Sequence, residues 1–78
     1  MKLFGIASKS ETEGAVELAE VTLVGSPNTL RAVARFLEWS AAQIEIHGSD
    51  FEHHHLQDFD ESWQEEVDVI TMRIGTDV

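Results

Sequence analysis

The chain predicts an α+β fold of order ββαββ, a four-stranded and largely antiparallel sheet with one helix packed on one face. Three observations carry this: two short β-patterned runs at the start, a strongly signalled helix in the middle, and two further strand-like runs after it. Seventy-eight residues make one domain, residues 1–78, and a chain that short buries only about 60% of its unfolded surface, so it folds on a thin margin.

Lys2 to Ala7, with Leu3, Phe4 and Ile6, has the length of a strand, and the polar, glycine-ended Ser8 to Gly14 reads as a hairpin loop. Val16 to Val24 forms the second strand, with Ala19, Val21 and Leu23 on one face; Glu17 and Glu20 break the phase in the manner of a β-bulge. After Gly25, Ser26 is an N-cap and Pro27 stands at the first helical position, where its missing N–H costs nothing. Leu30, Val33, Ala34, Leu37, Ala41 and Ile44 then recur at helical spacing, so the helix is expected to run to about Glu45, bury that stripe and end at Gly48. Phe36 and Trp39 lie off the stripe.

Phe51 to Leu56 is expected as the third strand, placing His53 and His55 on one face and Glu52, His54 and Leu56 on the other. Gln57 to Glu66 reads as an acidic loop around Trp63, and Val67 to Ile74 as a closing strand rich in β-branched residues. Strands two and three are parallel if adjacent, or all neighbours are antiparallel if strand one lies between them; in both orders one sheet face stays open. That face, or a sheet edge, is available for a second copy or another partner.

The charge pattern is the most informative chemical feature. The formal net charge is −10, and from Phe36 to Met72 there is no lysine or arginine while Glu38, Glu45, Asp50, Glu52, Asp58, Asp60, Glu61, Glu65, Glu66, Asp68 and all four histidines fall there. Such a field repels nucleic acid and anionic membranes and favours encounter with a basic protein. Direct nucleic-acid or membrane binding is therefore not expected. The absence of cysteine excludes disulfides and thiolate chemistry, no apolar run approaches the roughly 20 residues of a membrane span, and no secretory signal is recognisable. A cytoplasmic protein is expected.

Two constellations compete as sites. In the loop, Asp58, Asp60, Glu61, Glu65 and Glu66 surround Phe59 and Trp63, the anatomy of an interface anchor facing Arg and Lys; Glu52 and His54 extend the same patch. The alternative for the aromatics is packing on the core beneath a solvated acidic turn. In the triplet, His53 and His55 share a strand face and could chelate one metal with an oxygen from Asp50 or Asp58. Surface imidazoles bonded to nearby carboxylates are the commoner outcome for such a pair, so no cofactor is assigned. Arg31 and Arg35 are expected to pair with acids such as Glu38. No phosphate-cradling glycine loop, nucleophile elbow or triad order is present, and no enzymatic activity is expected.

The segments ELAEVTL, SPNTLRAVARFLEWSAAQIE, FEHHHL, the lone Trp63 and VDVITMRI, spanning about Glu17 to Ile74, together resemble an immunity-protein family of bacterial polymorphic toxin systems, the family numbered thirty-two. That resemblance implies a cytoplasmic α+β protein that binds and silences a cognate protein toxin, often a nuclease, and it implies no catalytic residues.

Overall fold

The computed structural model describes residues 1–7, 16–65 and 67–75. The expected first loop, Ser8 to Gly14, and Glu66 fall outside them. The described chain holds β1 (Lys2–Ala7), β2 (Leu18–Val24), α1 (Pro27–His47), a 3-10 turn (Gly48–Asp50), β3 (His53–His55), α2 (Leu56–Phe59) and β4 (Ile70–Met72).

The helix starts where the caps require. Ser26 has an extended backbone and its hydroxyl accepts the Thr29 N–H at 3.2 Å, while Pro27 occupies the first turn. At the other end Gly48 adopts φ 54°, a conformation that penalises any residue with a Cβ, and its N–H reaches the Ile44 carbonyl.

The fold class is α+β, but the described residues form two separate antiparallel sheets of two strands each in place of the expected single sheet: among them β1 pairs only with β2, and β3 only with β4. The physical cause lies in β3, which Leu56 cuts to three residues by turning into α2, a helix that pattern reasoning had assigned to a strand end and a loop. Three paired residues leave an edge too short to hold a seven-residue neighbour. The bulge expected in β2 is present: Ile6 pairs with Glu20 and Ala7 with Leu18, so the register skips Ala19.

The second correction concerns the buried face of α1. Ala32, Val33, Phe36 and Ser40 are buried, whereas Leu30, Ala34, Leu37 and Ala41 are exposed. Aromatic area decides this orientation. Phe36 and Leu56 are fully buried, Val33 completes the core cluster, and Met1, Trp39, Phe59, Trp63 and Val69 pack around it. Phe36 stacks near Trp39 and Phe59 at centroid distances of 6.2 and 5.4 Å, and Trp39 meets Phe59 at 5.0 Å. Aromatic rings bury more area than the Leu and Ala residues of the competing stripe and gain further from tilted ring contacts. Ser40 adds a tether, its hydroxyl 2.8 Å from that of Thr71 on β4.

The β1–β2 hairpin stands apart from this core. Leu3, Val21 and Leu23 share one face, Phe4 and Ile6 the other, and all five remain exposed. Gly5 lies under the Leu18 side chain: a Cβ there would come within 2.6 Å of a terminal methyl of Leu18, which would have to shift. Met1 is the link to the body, since it packs on the core and its α-amino group lies 2.6 Å from Glu65.

Candidate partner-binding site

The first turns of α1 and the chain after α2 enclose an open cleft of about 500 Å³, lined by Asn28, Thr29 and Arg35 on the helix side and by Asp60, Trp63 and Glu65 on the other. α2 places the far wall. The Asp60 N–H donates to the Leu56 carbonyl at 2.9 Å, closing the helix, and the Trp63 N–H donates to the Asp60 carbonyl at 2.9 Å, turning the indole back toward α1.

Two carboxylates of this cleft are held ionised. Asp60 accepts the hydroxyl and the backbone N–H of Ser62 at 2.6 and 3.0 Å, and these bonds to the charged form lower its pKa, with the Arg35 guanidinium acting in the same direction. Glu65 is lowered first by its bond to the Met1 amino group, with a weaker contribution from the Thr29 hydroxyl at 3.4 Å. The cleft is thus a compensated pair of anions and cations with polar groups between them.

Trp63 is half-buried. Its indole N–H donates to the Val67 carbonyl at 3.1 Å and its ring packs on the core, so most of its apolar area is committed inside the molecule. Phe59 likewise packs inward against Phe36 and Trp39. Of the two placements open from sequence, core packing describes both aromatics.

The remaining expected residues do not converge on the cleft. Asp58 on α2 and Glu61 in the following turn are exposed beside it, whereas Glu52 and His54 belong to the β3 strand region. The His54 ring stands edge-on to Trp39 at 5.0 Å and near Phe51 at 4.9 Å, covering the aromatic cluster from outside. Glu66 lies outside the described residues. Arg31 bonds Asn28 Oδ1 at 3.2 Å instead of an acid.

His53 and His55 share a face as the strand period demands, their rings 5.3 Å apart. His55 is already engaged: its Nδ1 lies 2.5 Å from Asp68 Oδ2. Among the described residues no group of three or more His, Asp or Glu side chains is arranged to hold a metal ion. Asp68, in sequence one acid among the ten between Phe36 and Met72, is the organiser here. Its other oxygen accepts the Val69 N–H at 2.9 Å and the Gln57 N–H at 3.4 Å, tying the start of α2 to the approach to β4. Partial burial raises its pKa, but the bonds from His55, Gln57 and Val69 outweigh burial and the net shift is downward. No local pattern announces this role, because its partners lie up to 13 residues away. For the same reason the helix wall of the cleft, Thr29 and Arg35, was not legible beside the acidic loop.

Among the described residues no helix is long and apolar enough to cross a membrane. No protein-family model matches the chain, and neither a curated protein nor a solved structure shows significant similarity to it.

Proposed function

We propose that this protein is a small acidic binding module that docks a basic segment of a partner protein at the cleft between α1 and the 60–65 loop, acting as an immunity protein that neutralises a cognate toxin. The observation that carries it is that Asp60 and Glu65 stand on one wall of the cleft with their charges held by hydrogen bonds, while Asp58 and Glu61 are exposed. An Arg or Lys entering from a partner can donate charge-assisted hydrogen bonds to these carboxylates, competing with the Met1 amino group at Glu65 and with Arg35 at Asp60. The surrounding negative field, unrelieved by any lysine or arginine between Phe36 and Met72, speeds the encounter. Because Trp63 and Phe59 are largely committed to the core, affinity comes more from the carboxylates than from an aromatic anchor.

Capture with the protein as bait from lysate of its source organism, eluted by rising salt with and without chelator, is the test. The expected result is a basic protein released by salt and indifferent to chelator, whose association slows about tenfold or more when Asp58, Asp60 and Glu61 are changed to amides. A partner that binds the triple variant as fast as wild type removes the cleft assignment. Its failure to protect cells against that partner's toxicity removes the immunity role.

A further inference from the structure

The apolar stripe that the fold leaves uncovered on α1 has the spacing of a helix-pairing seam. Leu30, Ala34, Leu37, Ala41 and Ile44 follow one another at alternating steps of four and three residues; the first four are exposed and Ile44 is half-buried. At about 100° per residue this stripe lies on roughly the opposite side of α1 from Asn28, Ala32 and Arg35, which border the cleft. At its C-terminal end the stripe opens into an apolar groove of about 540 Å³ between Ala41, Ile44, Met72 and Ile74.

The charge pattern beside the stripe is self-complementary when two copies run antiparallel. The flank of the stripe not covered by the protein's own body carries Arg31 near the start of α1, Glu38 at the middle and Glu45 near the end, all exposed. We infer that a second copy of the chain docks on this face with the two α1 helices antiparallel. In that arrangement each Arg31 faces Glu45 of the other copy, whereas parallel pairing would set Arg31 against Arg31 and Glu45 against Glu45. Leu30 of each copy then points toward the Ala41, Ile44 and Met72 groove of the other. Ala34 and Ala41 let the helix axes approach closely, and the leucines fill the space between them. The two Glu38 side chains meet near the two-fold axis, a like-charge contact that loosens the pair. The interface is isologous and leaves both clefts outward, so it is independent of the partner site.

Sedimentation equilibrium or light scattering at physiological salt is the test. Wild type is expected at twice the 8.7 kDa chain mass, and Leu37→Arg and Ala34→Arg at the single-chain mass with their helical circular dichroism intact. Arg31→Glu and Glu45→Arg alone should each raise the dissociation constant about fivefold, the scale that two exposed ion pairs give, and the double variant should return it to near the wild-type value. A wild type of single-chain mass throughout the micromolar range overturns the inference, as does a doubled mass for both arginine variants. A double charge swap weaker than either single swap overturns the antiparallel arrangement. The dimer variants should still capture the basic partner, which separates failure of this face from failure of the cleft.

Discussion

The body built on α1 and the β1–β2 hairpin are both rich in apolar residues, yet only the body folds around a core. In the body, Phe36 and Leu56 are completely buried and aromatic rings lie against one another. In the hairpin, Phe4, Ile6 and Val21 are 57, 58 and 53% exposed although the backbone pairing is regular from Lys2–Val24 to Ile6–Glu20. Hydrogen-bonded register therefore does not by itself produce burial; a sheet gains its stability from what covers its face, and two strands alone are marginal in water. The lesson is that ring area, more than ladder length, sets which parts of this chain are firm.

Substitution at equivalent aromatics tests that contrast with the largest expected effect. Phe36→Ala should cost about 3–5 kcal/mol, a large share of the roughly 4–12 kcal/mol expected of a domain this size, whereas Phe4→Ala should change stability by less than about 1 kcal/mol. Urea denaturation of the two variants provides the comparison, and equal losses would mean that the hairpin is packed as firmly as the body.

The next effect concerns the polar clip that holds α2 to β4. Asp68→Ala removes the acceptor for His55, Gln57 and Val69 and should cost about 1–3 kcal/mol by denaturation. Its depressed pKa fixes the sign of the acid response. A carboxyl whose folded pKa lies below its unfolded value stabilises the fold above the ordinary carboxylate range, and that contribution disappears as pH falls through the folded pKa. Asp60 and Glu65 shift in the same direction. Melting temperature should accordingly drop below about pH 4, and Asp68→Ala should show a flatter acid limb than wild type; an unchanged slope would remove Asp68 from the account.

The smallest effect is at the helix start. Ser26→Ala leaves the Thr29 N–H without its side-chain acceptor and should lower stability by about 1 kcal/mol, with Ser26→Asp restoring it. Because this cap joins the hairpin to α1, amide exchange should quicken in the first turn of the helix and leave Phe36 and its neighbours protected. Uniform loss of protection would show the two regions to be one cooperative unit.

Local signals were enough to set β1, the bulge in β2, the capped start and glycine end of α1, and the shared face of His53 and His55. Each depends on neighbours a few residues apart, through caps, backbone conformation or strand period. The acidity that bears on partner choice was equally visible, because charge needs no fold to be counted. Tertiary structure alone decided which face of α1 is buried, since the Leu30–Leu37 stripe and the Phe36–Trp39 face were both helically spaced and only the arrival of Leu56 and Phe59 chose between them. It also decided that two sheets form instead of one, and that Asp60, Glu65 and Asp68 receive different partners from distant parts of the chain. The physical reason is common to all three: long-range packing and hydrogen bonds depend on which surfaces meet, and a linear pattern records only which surfaces exist.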